Sequence, residues 1–349
     1  MKILFSTFYN EELKERIKKF SSLGYDVIIY NCHLDKNEEN RFKNRHFQMY
    51  ESILNFAQKE KIDIIYFHDY LTVPEYLLAE LKVRPNFTPR IIFSMFLREV
   101  NRSLARAQTI KELLDMPQII RVITFGMGLK DFPYPETMIN VKTNFSKIKK
   151  VGGVFYSIDR SSKLKKNIPT SMNDIVMLYP GRWIYSKGTD IFVEATKYID
   201  KDITILAHKN PMEDDYGHAI QDDLLKNHPQ TIFIEKYLEP EKMRKLFFDS
   251  HAVICSHRRL YEYSETGIPG ESSLAKIPIV APDFNFFREI IKKYKTGILY
   301  EPENPIALAN AINQMKKQYN EIVSNAKFEE SIENYIKEDD IPKIAMEDL

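Results

Sequence analysis

Apolar residues in this chain come in short blocks separated by longer amphipathic stretches. KILFSTF (2–8), YDVIIYN (25–31), IDIIYFHD (62–69), RIIFSMF (90–96) and RVITFG (121–126) are short and nearly continuous in apolar character. That is the pattern of strands buried on both faces. Between them, NEELKERIKKFSSLG (10–24), HFQMYESILNFAQKEK (46–61) and VPEYLLAELKV (73–83) carry helical periodicity, the first ending at Gly24 as a C-cap. Strand–helix alternation of this kind predicts right-handed crossovers and a parallel sheet covered by helices.

The alternation stops at RSSKLKKNIPTSMN (160–173), which is polar and basic and reads as a connection between domains. It then resumes. DIVMLYPG (174–181), DITILAH (202–208), QTIFIEKYL (230–238), HAVICSH (251–257) and KIPIVAP (276–282) read as strands. TDIFVEATKYI (189–199), PEKMRKLFFDS (240–250), NFFREIIKKY (285–294) and PIALANAINQMKKQYNEI (305–322) read as helices. The expectation is an α/β protein of two doubly wound, Rossmann-like domains, 1–160 and 161–324, with a tail of about 325–349 packing back on the first. The acidic end, IKEDDIPKIAMEDL, is expected at the surface. Ligands of such sheets bind beyond the carboxyl ends of the strands, but fold alone names no function.

Composition narrows the picture. A length of 349 residues suits two domains, and a hydrophobic content of 44% with 28% charged residues is that of a globular chain. The net charge of +1 gives no bulk field toward nucleic acid or membrane. Cys32 and Cys255 are isolated, which speaks against a disulfide framework and for a thiol-keeping compartment. The first residues are too charged for a secretory signal, and no apolar run reaches 18 residues, so a cytoplasmic protein is expected. No GxGxxG follows the first strand, where STFYNEE (6–12) stands, and no Walker-type phosphate loop is present. Nicotinamide and P-loop chemistry are thereby disfavoured.

The second half opens with YPGRWIYSKGTDIFVEA (179–195). Arg182 and Lys187 occupy a strand-to-helix turn, where a guanidinium and an ammonium suit a diphosphate; two solvated loop cations is the plain alternative. Here the chain resembles a known family. GR-x4-KG-x-D-x-x-x-E-A is similar to the donor-domain signature of family 4 glycosyltransferases, of the GT-B fold. PQTIFIEKYLEPEKMRKLFFDSHAVICSHRR (229–259), ESSLAKIPIVAPD (271–283) and KTGILYEPENPIALANAI (295–312) resemble that family's later segments in the same order, with Ser256 where the family has the serine of its PS dipeptide. The likeness covers residues 174–315 best and 1–150 more weakly.

The resemblance implies a retaining hexosyltransferase acting on a nucleotide-diphosphate sugar, UDP- or GDP-linked, that needs no cofactor or divalent metal. Residues 1–160 would be the acceptor side and 161–324 the donor side. Arg182 and Lys187 would carry the phosphates, and Glu271, seven residues before Pro278, the ribose. The strict position of the sugar-side acid holds Tyr263, with Glu262 one residue before it and Glu265 two after. Glu265, in its E-x-G turn with Gly267, is preferred, and Glu262 stays open. A turn carboxylate and a helix N-terminal charge are the plain readings of Glu265 and Glu271. Gly181, Gly267, Ile268 and Tyr237 complete the donor set. His68, closing IDIIYFHD, inherits a place beside the donor sugar, or is a partly buried histidine bonded to backbone. The other histidines form no metal-binding cluster.

Two departures from the family stand out: the glycine-poor STFYN, and ITILAHKNP, where Ala207 and Lys209 replace glycines. The acceptor, a glycan, lipid-linked or protein hydroxyl, is not specified. Arg98, Arg102 and Arg106 would share one helical face, with KIKK (147–150) and KLKK (163–166) adding charge. Such a face suits peripheral contact with the inner membrane face, an anionic glycan or DNA, or is merely solvated. A phage-type DNA-base glucosyltransferase and a non-catalytic glycosyltransferase-like binding subunit are the competing readings.

Overall fold

The computed structural model describes the chain apart from residues 8–13, 32–41, 68–73, 97–102, 126–134, 144, 151–153, 156–174, 210–219, 263–265, 334–335, 338–340 and 348–349. The connection read at 160–173 therefore lies outside the described residues. The chain forms two compact units. One comprises Met1–Gly126, Lys130–Val151 and Ile336–Leu349; the other comprises Met127–Leu129 and Gly152–Tyr335.

The first unit is built on a parallel six-stranded sheet of β1 (Lys2–Thr7), β2 (Asp26–Asn31), β3 (Ile64–Phe67), β4 (Arg90–Phe96), β5 (Ile119–Phe125) and β6 (Ile148–Lys150), in the order β2-β1-β3-β4-β5-β6. Helices α1 (Lys14–Ser22), α2 (Phe42–Lys59), α3 (Pro74–Lys82), α4 (Leu104–Asp115) and α5 (Glu136–Asn140) join the strands. Ile64, Ile65, Tyr66 and Phe67 are all buried, as a central strand covered on both faces requires. KIKK is not loose basic chain: Ile148–Lys150 is the edge strand β6, and Lys147 Nζ donates to the carbonyls of Leu114 and Met116 at the end of α4, at 2.6 and 2.8 Å.

The second unit repeats the plan. Its parallel sheet runs β9-β8-β7-β10-β11-β12, where β7 is Val176–Tyr179, β8 Thr204–Lys209, β9 Ile232–Glu235, β10 Ala252–Ile254, β11 Ile279–Pro282 and β12 Gly297–Tyr300. The helices are α6 (Thr189–Ala195), α7 (Gln221–Asn227), α8 (Pro240–Asp249), α9 (Ile268–Ala275), α10 (Asn285–Tyr294), α11 (Pro305–Asn325) and α12 (Phe328–Ile332). Alternate residues feed two cores. Met177, Tyr179, Ile205, Ala207, Ala252, Ile254 and Val280 pack with α6 and α11. Leu178, Leu206, Val253, Ile279 and Ala281 pack with α8, α9 and α10. The period of two survives inside a run that looks uniformly apolar.

The acidic end differs from expectation. Residues Ile341–Met346 form a last helix, α13, within the first unit, and Ala345 and Met346 are buried rather than at the surface. The reason is Arg121 on β5. Its buried guanidinium donates to the carbonyls of Ile344 and Ala345, at 3.1 and 3.0 Å, and so satisfies the open end of the helix.

Candidate donor site

Strand order decides where a ligand would sit. In the second unit the order reverses between β7 and β10, and this is the switch point at which doubly wound sheets bind ligands beyond the strand ends. The chain leaves β7 into Pro180 and Gly181, which has φ of +101°. Arg182 follows, exposed. Trp183 is fully buried and donates its indole N–H to the His208 carbonyl at 3.1 Å, which anchors the turn to the end of β8. A 3-10 turn, Tyr185–Lys187, then leads to Gly188 and α6.

The turn folds Lys187 back. A methyl group at Gly181 would lie 3.1 Å from Lys187 Nζ, so the ammonium rests over the end of β7. Its charge also reaches β10. It helps burial hold the His257 imidazole well below its usual range, and it opposes the burial that pushes the Cys255 thiol up to about 12. His257 is thus a neutral imidazole. It lies against the Tyr261 and Phe287 rings, and neither ring nitrogen has a hydrogen-bond partner among the described residues. The positive potential here comes from Lys187 and Arg182 more than from a helix dipole, because α6 has only 7 residues and Asp190 in its first turn.

Three residues lock this turn. Gly188 has φ of +65°, and a Cβ there would fall 2.0 Å from the Ser256 carbonyl oxygen. Ser256, buried beyond β10, donates to the Lys187 carbonyl at 2.8 Å and sits 3.0 Å from the Tyr179 hydroxyl. Arg258 pairs with Asp190 at 2.5 Å, donates to the Tyr185 carbonyl at 3.1 Å and lies over the Tyr185 ring at 4.0 Å. Ser256 and Arg258 are therefore buttresses of the turn that carries Lys187.

Glu271 lies in the first turn of α9, a helix that packs against β10. Burial pushes its carboxyl up to about 7, against the pull of Arg244. Arg244, on α8, brings its Nε to 3.8 Å from Glu271 Oε2, an ion pair too long to be a hydrogen bond. Glu271 Oε2 is buried with no hydrogen-bond partner among the described residues. An orphaned buried carboxylate oxygen is costly, and a ligand hydroxyl would satisfy it.

The remaining expected residues divide. Gly267 precedes α9 in ordinary right-handed backbone, and Ile268 packs into the core, its amide loosely met by Thr266 Oγ1 at 3.4 Å. Tyr237 is exposed after β9. Glu262 ends a 3-10 turn, Arg259–Tyr261, and its charge acts on Arg288. Glu265 and His68 lie outside the described residues, as do Arg98 and Arg102. Arg106 pairs with Glu75 at 3.1 Å. Among the described residues no group of three or more His, Cys, Asp and Glu could hold a metal ion, and no helix is long and apolar enough to cross a membrane. Trp183, Arg244 and Arg258 carry no motif signal, since their partners lie far away in the sequence.

The profile of the family described as "Glycosyl transferases group 1" matches residues 161–338, just over half of the chain. The chain belongs to this family and is a glycosyltransferase of the GT-B fold class. No curated protein sequence matches it. Solved structures do. The Anabaena protein HepE, in complex with UDP and glucose, is 15% identical with a TM-score of 0.66, over 96% of this chain and 95% of its own. Sucrose-phosphate synthase from Thermosynechococcus elongatus is 13% identical with a TM-score of 0.66, over 95% and 96%. A glycosyltransferase from Rickettsia africae is 15% identical with a TM-score of 0.62, over 100% and 99%.

Proposed function

We propose that the protein is a retaining, metal-independent transferase that moves a sugar from a nucleotide-diphosphate sugar to a hydroxyl of a glycan, lipid-linked or protein acceptor. The donor would bind the second unit, and the first unit would serve the acceptor. UDP is the favoured nucleotide, because the similar HepE structures hold UDP and UDP-glucose. The observation that carries the reading is the Lys187 ammonium folded over the end of β7 at the sheet's switch point. Glu271, buried with an unsatisfied oxygen, supports it as the group that receives the ribose hydroxyls. His68 and one of Glu262 or Glu265 are proposed on the sugar side.

In this reading the bond from the anomeric carbon to the β-phosphate oxygen breaks, and negative charge grows on the diphosphate. Lys187 and Arg182 stabilise that charge, each worth about 3–4 kcal/mol if well placed. The acceptor oxygen attacks from the face the phosphate leaves, and the departing phosphate oxygen takes the acceptor proton. The protein works at the inner face of a cytoplasmic membrane or in the cytoplasm.

Screening sugar release and transfer with UDP-, GDP- and ADP-sugars tests this. Turnover is expected with one nucleotide class, and NMR of the product is expected to show retained anomeric configuration. Lys187→Ala is expected to lower kcat by about 10²–10³, and Arg182→Ala by less, as its side chain is exposed. No turnover and no thermal shift with any nucleotide would overturn the reading; unchanged turnover in both variants would remove the phosphate assignment alone.

A further inference from the structure

Glu271 and Arg244 pose a problem that the donor site by itself does not explain. Two charged side chains are withdrawn from water, with the arginine 8% and the glutamate 18% exposed, yet they stop 3.8 Å apart. A bidentate arginine–carboxylate pair would saturate both carboxylate oxygens. Here the pair is close enough for charge to compensate charge, and too far apart to use up Oε2. The two residues sit on adjacent packed helices, α8 and α9, so the spacing is set by helix packing. The other cation of this helix end-to-end, Lys276, is tied to Glu329 of α12 at 2.7 Å. Arg244 is the positive charge that acts on Glu271.

We infer that Arg244 is a positioning residue: its buried guanidinium, 3.8 Å from Glu271 Oε2, holds that carboxylate in place with an oxygen open for a vicinal diol, so that the site selects ribonucleotides over 2′-deoxyribonucleotides. The inference rests on the ribose reading of Glu271 and adds a partner and a selectivity to it. An ionised carboxylate with an open oxygen accepts from a diol. Once protonated it accepts more weakly, and bonded in full to arginine it has no open oxygen. A site built around such an acceptor discriminates against an analogue that lacks the hydroxyl.

The test is the ratio of dissociation constants for 2′-deoxy-UDP and UDP, measured by calorimetry from pH 5.5 to 8.5. Ionisation of the diphosphate is common to both ligands and cancels. The wild-type protein is expected to prefer UDP by roughly 10-fold or more at high pH. The preference falls toward one as pH drops through about 7, where the buried Glu271 carboxyl takes its proton. Glu271→Gln is expected to abolish the preference at every pH. Arg244→Met is expected to move the midpoint upward by about one unit or more, and Arg244→Lys, which keeps the charge, by less than Arg244→Met. Should Arg244→Met fail to fold, Arg244→Lys still carries the test through a midpoint shifted upward from the wild type, since the shorter side chain sets its charge farther from Glu271. If Glu271→Gln abolishes the preference while the arginine variants keep the wild-type ratio and midpoint, the role of Arg244 is wrong and the ribose reading stands. If Glu271→Gln keeps the preference, both fall.

Discussion

Gly181 and Gly188 flank the turn that carries Lys187, and a methyl group would do different harm at each. At Gly188 it would meet the Ser256 carbonyl at 2.0 Å, a backbone atom that can yield only if the end of β10 moves. Gly188→Ala is expected to cost about 3–5 kcal/mol, read as a lower Tm. At Gly181 the obstacle at 3.1 Å is the end of a flexible lysine. Gly181→Ala is expected to cost only about 1–2 kcal/mol of stability, from its left-handed backbone. Its larger effect is on turnover, because the displaced atom is the ammonium itself. The two variants therefore split Tm from kcat in opposite senses. The places of Lys187, Gly188 and Glu271 were legible from motif spacing because they are local features: a turn, a close approach, a helix start. Arg244 was not. On α8 it reads as one more charge on an amphipathic helix, and only the packing of α8 on α9 shows that it is buried.

At the scale of elements, the turn that carries Lys187 is held less by its own sequence than by the chain after β10. Arg258 joins Asp190, the Tyr185 carbonyl and the Tyr185 ring in one fork. Arg258→Lys keeps the charge and loses the planar geometry. It is expected to lower kcat about tenfold, a loss of roughly 1–1.5 kcal/mol, with Tm changed by only a few degrees; a double-mutant cycle with Asp190→Asn measures the coupling. Strands were readable because burial on both faces makes continuous apolar blocks. Short helices were less so: α7 buries Leu224 alone among its residues, and α13 is defined by a cap from Arg121 rather than by periodicity. Spacing alone did not choose between Glu262 and Glu265, because neither stands at the strict position, which holds Tyr263.

For the whole molecule, buried titratable groups set the response to acid. Burial lowers the imidazoles of His208, His228 and His257, with Lys201 adding to the effect at His228 and Lys187 at His257. Below about pH 6.5 the unfolded chain takes up protons there that the folded chain does not, so stability falls as pH falls. Glu271 acts in the opposite sense. Its raised carboxyl lets the folded state hold an extra proton between the ordinary 4.5 and about 7, and on its account stability falls as pH rises through that window. Three imidazoles outweigh one carboxyl. Thermal unfolding is expected to show a net loss from pH 7 to 5, and Glu271→Gln to steepen it. The two-unit plan was visible in the sequence because the strand–helix alternation stops and restarts. The burial of the last residues on their return to the first unit was not, since their link to Arg121 spans 223 positions of chain. That return sets an order on biosynthesis. When β5 leaves the ribosome, the guanidinium of Arg121 has no carbonyls to meet, and at about 5–20 residues per second they arrive on the order of ten to forty seconds later. The second unit has all its strands before the first has its final helix, so the half made first is the half completed last.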